Sequence, residues 1–141
     1  MMRGNPLGGS MPRFLAILLF AAAASLPAQE VSGPELSNYE VLAEAIAHHT
    51  VPGLVILDVR SKDDYLAGHI PGALSYPFLV ADGETSPLFN KFPSNSAQAP
   101  LVVYGRPASS DARKAADILR TRGYRNVILF GSISQWKGKL E

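Results

Sequence analysis

Residues Leu101-Val-Val-Tyr-Gly-Arg-Pro-Ala-Ser-Ser-Asp-Ala-Arg-Lys-Ala-Ala116 constrain the fold more than any other stretch: an apolar run, a tight loop, then an amphipathic helix. Leu101 to Tyr104 are apolar, β-prone and too few for a helix, so they read as a buried strand that delivers the chain to Gly105. Ser109 or Ser110 can cap the helix that follows, in which Ala112, Ala115, Ala116 and Leu119 recur at i, i+3, i+4 and i+7. Gly123 supplies its stop. A strand-loop-helix unit of this kind aims backbone N–H groups and the positive end of a helix dipole above the loop, which favours an anion.

The rest of the chain supplies partners for that unit. Ser37-x-x-Glu40 has the form of a capping box, with Tyr39, Leu42, Ala43 and Ile46 at helical spacing after it and His48-His49 at the end. The two histidines are adjacent, so on a helix they point apart; without a cysteine or carboxylate cluster beside them, no metal site is expected. Val51-Pro-Gly53 is a turn, and Leu54 to Val59 is the near-continuous apolar run of a central parallel strand. Asp58 interrupts that run, and if buried it must accept hydrogen bonds or pair with a cation. Ser61-x-x-Asp64 starts a short helix ending at Gly68, and His69 to Ala73 lead to a strand around Leu74 to Tyr76. Phe78 to Pro100 read as a long connection, with one helical turn near Leu88 to Phe92. Within it Phe78, Phe89 and Phe92 are candidate anchors or pocket-lining residues. Asn126 to Phe130 form a last strand, and Ser132 caps a final turn that carries Trp136. Strands alternating with helices imply a parallel sheet with helices on both faces and ligands at the carboxyl ends of its strands.

The N-terminal region has a different character. Arg3 and Arg13 precede the apolar run Phe14 to Ala24, then Ser25-Leu-Pro-Ala28, which is the layout of a secretory signal peptide over residues 1–28. The run falls short of the roughly 20 residues of a membrane span. The alternatives are a retained N-terminal anchor, since Leu26 is large for a position just before a cut, and a start at Met11. Residues 29–36 form a leader and 37–141 the domain. Cleavage would take the net charge from +1 to about −1 and leave it unevenly spread. Residues 29–100 carry three basic and nine acidic side chains, residues 101–141 eight and three. The basic excess gathers at Arg106, Arg113, Lys114, Arg120, Arg122 and Arg125, either as a solvated helix face or as a field for an anion or acidic partner. An export signal and no net basic domain argue against nucleic acid.

The loop, together with Leu57-Asp-Val-Arg60, Asp64-Tyr-Leu-Ala-Gly-His-Ile-Pro-Gly-Ala73 and Gly131-Ser-Ile-Ser-Gln-Trp136, resembles the rhodanese (sulfurtransferase) domain from about Ser37 to Glu141. The resemblance implies a three-layer α/β fold with a mostly parallel central sheet. It also implies a cysteine directly after the strand, whose thiolate takes sulfur as a persulfide. That position is Gly105 here, the family's loop glycine is Ala108, and the last loop position, often Arg, is Ser110. The chain has no cysteine at all. For Asp58, Arg60, Asp64 and His69 the resemblance implies structural roles, with Arg60 near Asp64, where the family usually has Glu, and His69 fixing its loop through backbone hydrogen bonds. No cofactor or metal follows from it.

Three function classes remain in view. The first is an exported rhodanese-like domain without sulfur transfer, binding a small oxyanion or sulfur anion at Gly105–Ser110 or an acidic exported protein. Pro107, which has no N–H, and Asp111, a negative charge in the helix's first turn, weaken the anion cradle. The second is a sulfurtransferase-family enzyme, opposed by the missing thiolate and by the weak nucleophilicity of Ser109 or Ser110 without a base. The third is a scaffold whose charges serve only solubility.

Overall fold

The structure is a computed structural model and describes residues 33–78, 86–87 and 93–141. The expected signal segment, residues 29–32 of the 29–36 leader, and Phe89 and Phe92 with their expected helical turn lie outside the described residues.

The apolar runs form the sheet. β1 (Val55–Asp58), β2 (Leu74–Ser75), β3 (Leu101–Gly105) and β4 (Val127–Ser132) are all parallel, in the order β2-β1-β3-β4. The two continuous apolar runs, Leu54 to Val59 and Leu101 to Tyr104, thus take the two interior positions. Every residue of β3 is buried. That is the environment in which strands lose their apolar-polar alternation, because both faces are covered.

Successive side chains of β1 and β3 enter opposite layers, as strand geometry requires. Ile56, Val102 and Tyr104 pack with Leu36, Leu42, Ala45 and Phe130 on one face. Leu57, Val59, Leu101 and Val103 pack with Ala112, Ala115, Leu119 and Tyr124 on the other. The first layer is built by α1 (Tyr39–His48), with Tyr65 of α2 (Lys62–Ala67) against it; the second by α3 (Asp111–Thr121). The three-layer α/β arrangement expected from the sequence is the observed one. Ala112, Ala115, Ala116 and Leu119, the stripe read on α3, are all buried. Three alanines let the helix lie close to the sheet, and full burial of Leu119 contributes about 1.5–3 kcal/mol.

Two local expectations are corrected. α1 is capped by Asn38, not by a Ser37–Glu40 box: the Asn38 side chain accepts from the Glu40 N–H at 2.8 Å and the Val41 N–H at 3.3 Å. Ser37 ends a preceding 3₁₀ turn (Gly33–Ser37), and its hydroxyl donates to the Pro34 carbonyl at 2.7 Å. The buried stripe of α1 accordingly centres on Leu42 and Ala45, while Ala43 and Ile46 are half-buried. β4 runs on past Phe130 to Ser132 through a register irregularity, in which Val103 faces Leu129 but Tyr104 faces Gly131. Gly131 takes φ +102, a conformation that a side chain would strain.

Candidate functional site

β3 ends at Gly105, beside Ser132 of β4, at the carboxyl edge of the sheet. Gly105 is buried, and its φ is not in the left-handed region. A Cβ there would stand 3.3 Å from Ala112 Cβ and 3.4 Å from both Ala112 N and Val59 Cγ2. A side chain at this position would therefore sit directly under the first turn of α3.

The loop then turns back on itself, with the Ser109 N–H reaching the Arg106 carbonyl at 3.4 Å. Ala108 is held at φ +55, so the loop keeps a left-handed residue where the resemblance places a glycine. Ser110 is at the cap position of α3 without a side-chain cap bond; Ser109 Oγ instead accepts the Asp111 N–H at 3.1 Å. Asp111 begins the helix. Its carboxylate, 12% exposed, pairs at 2.9 Å with the half-exposed guanidinium of Arg106. Arg106, Pro107, Ala108 and Ser110 are exposed, as are Arg113 and Lys114 on the next turn of α3.

Tyr104, the residue before Gly105, belongs to a buried polar network. Asp58 is fully buried, and its carboxylate accepts from the Arg60 N–H at 2.9 Å, from Arg60 Nη2 at 2.7 Å and from the Tyr104 hydroxyl at 2.7 Å. Arg60 Nη2 also donates to the Gly68 carbonyl at 2.6 Å, and Tyr104 Oη accepts the Ile70 N–H at 3.1 Å. The expected requirement that Asp58 be bonded and paired is met. Among the described residues the Arg60 side chain donates to Asp58 and to the Gly68 carbonyl, and no ion pair joins it to Asp64. Asp64 is half-buried in the first turn of α2, where its N–H donates to Ser61 Oγ at 3.1 Å. Burial opposes the charge of Arg60, yet the hydrogen bond and field of Asp58 hold its pKa above the ordinary arginine value. Burial first, then the hydrogen bond and charge of Asp58, push the Tyr104 hydroxyl far above a normal phenol.

His69 fixes its loop. Its Nδ1 is 3.0 Å from the Tyr65 carbonyl, its ring stacks on Tyr65 at 3.8 Å, and its backbone exchanges two 2.9 Å bonds with Glu141. His48 and His49 are exposed, with His48 beside Glu44, and among the described residues no cluster of His, Cys, Asp and Glu could hold a metal. A cleft of about 320 Å³ lined by Ser94, Asn95, Ala97, Arg122, Gly123 and Tyr124 lies where the chain enters β3 and leaves α3, away from the loop.

Sequence reading missed Tyr104, counting it as one more apolar strand residue. A phenol inside an otherwise aliphatic central strand was the available signal, since a buried hydroxyl needs a partner.

The family model of the rhodanese-like domain matches residues 39–139, which include the Asp58 network, the loop and Trp136. The chain belongs to the rhodanese-like domain family. Among solved rhodanese-fold structures it is similar to the Alr3790 protein of Anabaena sp., at 28% identity and a TM-score of 0.60 over 74% of this chain and 89% of that one. The BH2092 protein of Bacillus halodurans is 28% identical with a TM-score of 0.59, over 74% of each chain. SseA of Escherichia coli, described with the rhodanese fold and the catalytic mechanism of 3-mercaptopyruvate sulfotransferases, is 28% identical with a TM-score of 0.57, over 74% of this chain and 48% of its own. The human TBC domain-containing protein kinase-like protein is 31% identical over 90 residues, 61% of this chain and 10% of that protein; its mouse counterpart is 32% identical over 88. This rhodanese-like domain spans about a tenth of the length of the curated relatives it matches. Its loop, unlike one that forms a persulfide, offers no thiol.

Proposed function

We propose that this chain is an exported rhodanese-like module that performs no sulfur transfer and binds an acidic protein surface through the loop after β3 and the exposed first turns of α3. The observation that carries the reading is Gly105 at the end of β3, under α3, in a chain without cysteine. Persulfide chemistry needs a thiolate, and a serine replaces it only with a base at hand. Ser109 Oγ is bonded to the Asp111 N–H, and His69 is bonded to Tyr65 and Glu141. Among the described residues, no hydrogen bond joins the Ser109 or Ser110 hydroxyl to a histidine or a carboxylate.

Charge supports the binding half. Arg113 and Lys114 are exposed and have no ion pair among the described residues, and Arg106 remains half-exposed beside them. A small anion is served less well, because Pro107 offers no N–H and Asp111 neutralises Arg106. Relatives in which the matched stretch is a tenth of a longer chain also fit a module that attaches rather than one that turns over substrate. Export rests on the layout of residues 1–28.

Amide NMR titration with a poly-glutamate peptide tests the reading. Saturable shifts confined to residues 105–114, weakened by salt and by the double substitution R113A/K114A, are expected. Shifts that are absent, or unchanged by both, contradict it.

A further inference from the structure

The loop after β3 carries one cation, Arg106, and the chain supplies an anion for it. Asp111 lies five residues on, with its carboxylate largely withdrawn from water and 2.9 Å from Arg106 Nη2. Its backbone N–H is taken by Ser109 Oγ, which seats the residue at the head of α3 and aims its carboxylate back over the loop. The helix end and the guanidinium would both attract an incoming oxyanion, and both already have a carboxylate. An external anion would have to displace that carboxylate, which is covalently tethered beside its partner, or sit next to it and be repelled.

We infer that Asp111 is the selectivity residue of this loop, an internal counter-ion that holds Arg106 and closes the loop to small oxyanions such as thiosulfate. Arg113 and Lys114, exposed on the following turn, stay available to an extended acidic partner that need not enter the loop. The inference deepens the proposed function, and rests on it only for the identity of that partner. Exclusion of small anions stands on the Arg106–Asp111 pair.

The test uses the full chain as wild type, D111N and R106A/D111N, each titrated with thiosulfate and followed by amide shifts. D111N keeps the side-chain shape and removes the charge, so it should bind thiosulfate about tenfold or more tighter than wild type, the value of one freed charged hydrogen bond. Shifts should be confined to residues 105–113, and R106A/D111N should lose the gain. Wild-type binding as tight as that of D111N, or no gain in a D111N protein whose amide spectrum stays dispersed, overturns the inference. Should D111N not fold, D111S replaces it under the same two criteria. A parallel titration of wild type with poly-glutamate separates the two claims: failure there contradicts the proposed partner and leaves the thiosulfate comparison to decide the role of Asp111.

Discussion

The Tyr104 hydroxyl donates to Asp58 Oδ2 at 2.7 Å across the β1–β3 pair while accepting the Ile70 N–H at 3.1 Å. One phenol thus joins both central strands to the loop that follows α2. Around it Arg60 closes the network through Asp58 and the Gly68 carbonyl, and every group in it is bonded.

Replacing Tyr104 with Phe removes one bond from a buried carboxylate and strands a buried N–H. The expected loss is about 1–3 kcal/mol by urea denaturation. Asp58→Ala leaves the Arg60 guanidinium, 9% exposed, without its counter-charge and should cost more, about 3–5 kcal/mol. Equal losses for the two variants would contradict this account of the network.

The same network sets an alkaline limit. Tyr104 holds its proton well above the ordinary tyrosine value, through burial first and then Asp58, and burial raises Tyr76 as well. An unfolded tyrosine releases its proton near pH 10, so above about that pH the folded state binds more protons than the unfolded one. The stabilisation is complete below pH 10 and falls as the pH rises beyond it. Y104F should flatten the decline and leave the part due to Tyr76, as read by urea midpoints at increasing alkaline pH.

Ala108 occupies a left-handed conformation at φ +55. That conformation costs an L-residue about 1–2 kcal/mol, partly offset for glycine by the greater freedom of its unfolded chain. Ala108→Gly should therefore stabilise the domain by about 0.5 kcal/mol, visible as a higher urea midpoint with an unchanged slope.

The fold was legible because its signals are local and repeated: two apolar runs too short for helices, an alanine stripe at helical spacing, and caps at Ser61 and Ser132 that the structure uses. Asn38 was harder. Ser37 and Asn38 are both good caps, and only the preceding 3₁₀ turn, which occupies Ser37, decides between them. At the site, Gly105 and the need for a partner at Asp58 were readable from residue type alone. That Tyr104 and Arg60 converge on Asp58 was not, since the Tyr104 partner lies 46 residues away and is fixed by strand register.

Gly105→Cys puts a thiol under α3. The backbone accepts a side chain there, and the contacts at 3.3–3.4 Å to Ala112 and Val59 ask for small shifts, so the variant should fold with a loss of about 1 kcal/mol or somewhat more. Asp111 opposes the helix end that would otherwise favour a thiolate, so iodoacetamide alkylation should show a thiol pKa at or above about 8.5. Adding D111N should lower it.

The most direct measurement is thiocyanate formation from thiosulfate and cyanide by the wild-type chain, against a protein-free control. The account predicts no rate above the control, because no group in the loop can carry the sulfur. Protein-dependent turnover would contradict the reading of this rhodanese-like domain as a binding module.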